Sequence, residues 1–292
     1  MYTSPDEARS DLFLAGAVYL FGGLVIGLLL EIIPLQAIPG VDIALAFLVP
    51  IVTTALVPHL LVRYRRESWS AYGLGAPDAS FWAGAVAGLP LVAASVAVAL
   101  AFGGDATVGL PVVAIGSGAL LNLLLRLVSW LGLAVLAVYG TVKARDAFRP
   151  DYSTVRDASR EIGRWVGIVL GATTVLLSAS FAVRGATSAA LELILLAAAA
   201  VGVFAIVYRG VSPRATTSRA TLLTPAVLLA LGPFALSFDA AQLVFSLWLA
   251  SIYAAIGLAM GMLVETRRSA LGVVGLAVVI AALSTLGGSA GA

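Results

Sequence analysis

Successive apolar runs, each of roughly the 18 or more residues that cross a bilayer, leave this chain few ways to fold. Hydrocarbon offers a backbone N–H or C=O no partner, so each run must satisfy its own polar groups by closing into a helix. The runs predict nine spans, or eight if one is not a crossing, at about 12–33, 42–62, 80–102, 121–142, 164–183, 188–208, 220–237, 241–264 and 269–287. The fold class is therefore all-α, a polytopic membrane helix bundle in which residues 1–292 form a single transmembrane domain. A chain that is 61% hydrophobic and 11% charged could not cover a water-facing surface. The first run exceeds a signal-peptide core in length and reads as a membrane helix.

The basic residues set the orientation. With the amino terminus in the cytoplasm, fifteen of the 17 cations fall on the inner side, leaving Arg184 outside and Arg126 within a span. The expected location is the plasma membrane, multi-pass. Side-chain caps are expected at Asp11, Asp42, Ser80 and Asp239, the last with Gln242 three residues on. The cytoplasmic connection 143–163 contains "DYSTVRDASREIGRW", in which Val155, Ala158, Ile162 and Trp165 recur at helical spacing; it predicts a short amphipathic helix at the inner interface. "VGLPVVAIGSGALL", 108–121, is apolar but surplus to the fourth span and predicts a re-entrant or interfacial segment, with a long tilted helix as the competing arrangement.

Composition also excludes chemistry. Without cysteine there is no disulfide, thiolate metal site or cysteine nucleophile, and a lone histidine, His59, rules out a multi-histidine metal or haem site within the chain. No metal or other cofactor is expected. The partners expected are membrane lipids and other membrane proteins, with no nucleic acid.

Three sets of residues stand out. Arg126 lies inside "LLNLLLRLVSW" on a helix face with Asn122 and Ser129, and such a face must turn to protein. The topology places Glu31 and Glu192 at its depth, so these five form a buried polar cluster, either a structural ion pair or a ligand site. His59, at the inner end of the second span, is a proton-handling candidate or simply a headgroup-level histidine. Pro50 and Pro58 break the second span and Pro225 and Pro233 the seventh, at equal separations, as discontinuous helices do in transporters. The glycine pairs Gly84/Gly88, Gly167/Gly171 and Gly257/Gly261 read as helix-packing positions.

"RYRRESWSAYGLGAP", 63–77, has an arginine-rich turn leading into a Trp…Gly-Leu-Gly pattern, and "GLAMGMLVETRRSALGVVGLAVVI", 257–280, is a helix pair joined by a short turn. Together they resemble the CAAX-protease and bacteriocin-processing membrane family. That resemblance implies an intramembrane helical fold, but active members carry a Glu-Glu-x-x-x-Arg motif and later histidines. Here no two glutamates are adjacent, no histidine follows His59, and Val278 and Ile280 occupy the final helix. The resemblance thus implies a relative without proteolytic residues. No residue is assigned as catalytic. The expected function is a non-catalytic membrane protein that binds or organises membrane partners; a small secondary transporter and an intramembrane hydrolase are the alternatives.

Overall fold

The computed structural model describes residues 4–32, 40–74, 79–102, 119–148, 153–235 and 242–283. Almost all of them are helical. In chain order the helices are α1 (Pro5–Ile32), α2 (Val41–Pro50), α3 (Val57–Tyr64), α4 (Ser80–Ala87), α5 (Leu89–Phe102), α6 (Ala119–Ala147), α7 (Val155–Val183), α8 (Thr187–Gly210), α9 (Arg219–Ala235), α10 (Leu243–Arg267) and α11 (Leu271–Leu283). Six helical rods, Ile43–Tyr64, Ser80–Val98, Leu120–Ala147, Val155–Val183, Thr187–Gly210 and Leu243–Arg267, are long and apolar enough to cross a membrane, and α9 and α11 contribute shorter apolar helices. The end of the bundle where α1 begins and α6 finishes carries most of the arginines and is called the basic end below.

α10 is the hub. It packs against α6, α7, α8, α9 and α11, and nearly every side chain from Ser246 to Glu265 is buried. Lipid tails are as apolar as leucine, so burial alone does not hold such helices together; close backbone approach and a few interhelical hydrogen bonds must. Both are present. A Cβ on Gly257 would collide with the Pro225 carbonyl of α9, and one on Gly84 with the Gly272 carbonyl of α11. The Trp248 indole donates to Thr174 Oγ1 of α7 at 3.0 Å, and Trp130 of α6 stacks on Tyr253 at 5.5 Å.

Both proline-bearing segments pack on the α1–α6 pair. Between Pro50 and Pro58 the helix widens into a π-helical stretch, Ile51–Leu56, because a proline ring obstructs the carbonyl four residues earlier and cannot donate to it. Thr53 and Thr54 turn their hydroxyls back onto the Val49 and Pro50 carbonyls. The same threonines lie against Gly22 of α1 and Gly132 of α6. α9 approaches that pair at Gly16 and Gly140 through Leu228.

Four sequence expectations change here. Asp11 is not a cap: α1 starts two turns earlier, where the Ser4 hydroxyl and the Glu7 carboxylate accept from one another's backbone N–H at 3.3 and 2.9 Å. α2 is preceded by Gly40, with no side-chain cap bond, although Asp42 follows. Ser80 opens α4 but donates to Ser269 Oγ at 2.8 Å. The amphipathic run is not a separate interfacial helix either. It forms the first turns of α7, capped by Thr154, which accepts from Asp157 N at 3.0 Å. Val155, Ala158 and Ile162 are buried there, whereas Trp165 is exposed. A two-residue antiparallel pairing of Ser153–Thr154 with Thr216–Thr217 pins this start to the segment before α9. Most of 108–121 and the Asp239 cap lie outside the described residues.

The Gly257 contact is with backbone, which cannot swing aside. Gly257→Val is therefore expected to lower stability by about 1–3 kcal/mol or more, read as a reduced midpoint in denaturant-driven unfolding in detergent.

Candidate functional site

The densest polar constellation among the described residues lies at the basic end, built from α1, the linker after α3, and α6. Its centre is Lys143, the only lysine in the chain, whose side chain is 0% exposed. Its Nζ donates to Glu67 Oε1 at 2.7 Å and stands 3.7 Å from Asp11 Oδ2. An isolated ammonium could not be buried so completely, but two carboxylates and the nearby Tyr139 ring, 6.0 Å away, replace its water. Lysine suits the place because its charge is compact and its stem threads between helices, where a planar guanidinium would need a wider slot.

Arg65 extends the network. It forks onto Asp11, Nε to Oδ2 at 3.1 Å and Nη2 to Oδ1 at 2.9 Å, while Nη1 reaches Glu7 Oε1 at 2.8 Å. The hydrogen-bonded pair with Asp11 is the largest reason its guanidinium is held even more firmly protonated than usual. Glu7 is held below its ordinary 4.5, first by the Ser4 backbone N–H and hydroxyl and then by Arg65. Tyr72 donates to the second oxygen of Glu67. Burial first, and the Glu67 carboxylate second, push its hydroxyl well above the usual phenol range. Beside this network the Arg145 guanidinium pairs with the buried Glu265 of α10.

Local backbone explains the aim of these groups. Arg66 closes α3 with a left-handed φ of 57°, and the chain reverses so that Glu67 N donates to Val62 O at 2.9 Å. Glu67 is thereby returned to Lys143. The turn at Trp69–Tyr72 ends at Gly73, φ 82°, whose carbonyl accepts from Ala270 N at 3.1 Å. A Cβ there would lie 2.9 Å from that nitrogen. The two stretches singled out for their family resemblance are thus docked against each other.

The residues expected to matter are dispersed. His59 is exposed at the basic end, where its Nδ1 accepts from Trp69 Nε1 at 3.2 Å. Its ring opens a ladder through Trp69 and Tyr72, and Tyr72 stacks on Tyr139 at 5.8 Å. Arg126, Asn122 and Ser129 share a face of α6, as expected. Arg126, however, makes no ion pair with a described residue; its Nε and Asn122 Oδ1 are buried without hydrogen-bond partners, and Ser129 is spent on the Leu125 carbonyl at 2.9 Å. Glu192 is buried on α8 and engaged there, not by Arg126. The Glu31 side chain lies outside what is described. Among the described residues no three carboxylates or imidazoles converge as a metal would require.

Sequence reasoning missed the cluster because Lys143 and Arg65 were absorbed into the inner-side positive charge and Asp11 into a cap. Two clues existed: one lysine among 16 arginines, and an acid at 67 directly after a basic run. In comparisons with protein-family models, curated proteins and solved structures, nothing matches this chain.

Three outcomes follow from this geometry. Lys143→Met leaves the half-buried Glu67 without its cation and Asp11 with Arg65 alone, and should cost about 1–3 kcal/mol, much of it recovered when Glu67→Leu is added; a double-mutant cycle of unfolding midpoints reads the coupling. Arg126→Leu removes a cation with no ion-pair partner among the described residues and should leave the midpoint unchanged or raise it, whereas a structural clamp would lose stability. For Glu7 the folded pKa is lowered, so its stabilisation is present above the ordinary carboxylate range and disappears as pH falls through the lowered value. Melting temperatures of Glu7→Gln and the parent should therefore differ at neutral pH and converge in acid.

Proposed function

We propose that this chain is a non-catalytic, multi-pass protein of the plasma membrane, with nine spans and its amino terminus in the cytoplasm, which binds and organises other membrane proteins through the outward face of α7. One contrast carries the proposal. Gly84 and Gly88 are filled by α11, and Gly257 and Gly261 by Pro225 of α9, whereas Gly167 and Gly171 meet nothing within 4 Å. A glycine in a helix costs roughly 1 kcal/mol relative to alanine, and among the described residues the α7 pair returns no contact for that cost. A flat small-residue face is what a second helix needs for close approach in lipid. Ile168, Val175 and Leu176 border the pair and are exposed.

The polar groups fit a structural role better than a chemical one. Asp11, Glu67 and Glu265, the acids of the polar layer, are each engaged by a cation. The linker that resembles the CAAX-protease family is occupied in fastening α1 to α6, consistent with an inactive relative. The transporter reading rests on the prolines of the second and seventh spans, Pro50 and Pro58 with a π-helical stretch between them and Pro225 and Pro233 inside a continuous α9. Against it, the Thr53 and Thr54 side chains are buried in contacts with α1 and α6.

The chain has no cysteine, so Ala172→Cys supplies a unique reactive group beside the glycine pair. In native-lipid nanodiscs it is expected to cross-link to a partner helix, and adding Gly171→Leu should suppress the adduct several-fold while the unfolding midpoint stays put. Absence of any adduct from this face, or its persistence in Gly171→Leu, rejects the assignment.

A further inference from the structure

α4, α8 and α10 enclose a groove of about 330 Å³ at the basic end. Its lining is layered. Because α4 runs away from that end while α8 and α10 run toward it, Val86, Ile206 and Met262 form the deep layer. Trp82, Gly210, Thr266 and Arg267 form the shallow one. The two layers are separated by about one helical turn, roughly 5–7 Å along the membrane normal. Apolar below and cationic above is the profile of a phospholipid, tail inward and headgroup at the surface.

Three further features point the same way. Trp82 is 69% exposed and sits in the first turn of its helix, the level at which tryptophan anchors the membrane interface. Arg267 and Arg209, the latter next to Gly210 in sequence, are exposed and form no ion pair among the described residues, in contrast to Arg65 and Arg145 nearby in the same end of the bundle. Gly210 has nothing within 4 Å of where a Cβ would lie, which keeps the mouth open.

We propose that this groove seats an anionic phospholipid, one acyl chain against Val86, Ile206 and Met262, its phosphate held by Arg267 with Arg209. Basic pockets between transmembrane helices recognise acidic headgroups in this way. The site is separate from the α7 face and does not depend on the function proposed for it.

Trp82 makes the test direct, since bromine on an acyl chain quenches indole fluorescence only on close approach. The full chain is reconstituted in phosphatidylcholine vesicles with a minor fraction of either dibrominated phosphatidylglycerol or dibrominated phosphatidylcholine. The Trp82 signal is the difference from Trp82→Phe. Phosphatidylglycerol is expected to quench Trp82 at about fivefold lower mole fraction than phosphatidylcholine, the preference one arginine supplies near a surface. The Arg209→Gln/Arg267→Gln double variant should lose that preference while keeping the phosphatidylcholine curve, which shows that its fold is intact. Gly210→Leu, whose Cβ enters open space, should block the mouth and weaken phosphatidylglycerol quenching. Equal quenching by the two lipids in the parent, or a preference that survives removal of both arginines, overturns the proposal.

Discussion

The fully buried ammonium of Lys143 is the constraint on which the basic end depends. A charge taken out of water must find its counter-charges in fixed places, and here they come from two other parts of the chain, Asp11 on α1 and Glu67 on the linker after α3. Satisfying one side chain therefore sets the height of α1 against α6 and fixes the path of the linker between them. The constraint propagates, because the linker continues through Tyr72 to Gly73, whose carbonyl receives Ala270 N at the start of α11. Arg145 and Glu265 add α10 to the same layer. One end of the bundle is thus registered by polar contacts that leave little freedom to slide.

Away from that layer the helices are held by shape. Where both solvent and core are apolar, the gain comes from van der Waals contact and from the few hydrogen bonds that hydrocarbon cannot replace. α10 illustrates both, with Gly257 against the Pro225 carbonyl and the Trp248 indole on Thr174. The prolines belong to the same economy of close packing. The π-helical stretch between Pro50 and Pro58 places two threonines where their hydroxyls satisfy nearby carbonyls and their side chains meet glycines on α1 and α6.

The helical rods were legible because an apolar run in lipid has almost no alternative to a helix, and their order along the chain follows the runs directly. The polar cluster was not. Charged residues near the ends of membrane helices already have a sufficient explanation in the asymmetry of basic residues, so position at a helix end does not distinguish the buried Lys143 from the exposed Arg267. The distinction lies in contacts such as Lys143 to Glu67, 76 positions apart, which no period in the sequence encodes. Arg126 shows the converse. Its apolar neighbours and polar helix face suggested a clamp, yet the carboxylate expected opposite on α8 is engaged elsewhere and Arg126 has no ion-pair partner among the described residues. Depth along the membrane normal could be counted from sequence; azimuth around the bundle, which decides who meets whom, could not.

Azimuth is also what gives the α7 glycines their meaning. α7 presents Leu170, Thr173 and Thr174 to the bundle, where the threonine hydroxyls bond back to the Val169 and Leu170 carbonyls and Thr174 also receives Trp248. Gly167 and Gly171 lie about a quarter turn further round the same helix, on its exposed flank. A helix with one face fastened by hydrogen bonds to the most buried element of the fold presents its other face at a fixed angle and height. An incoming helix then has to order only itself, and the entropy of fixing both surfaces, which would otherwise offset weak packing in lipid, is halved before the encounter. The same two glycines on a loosely held helix would carry no such advantage, so the inward hydrogen bonds of α7 and its outward small-residue face form one device.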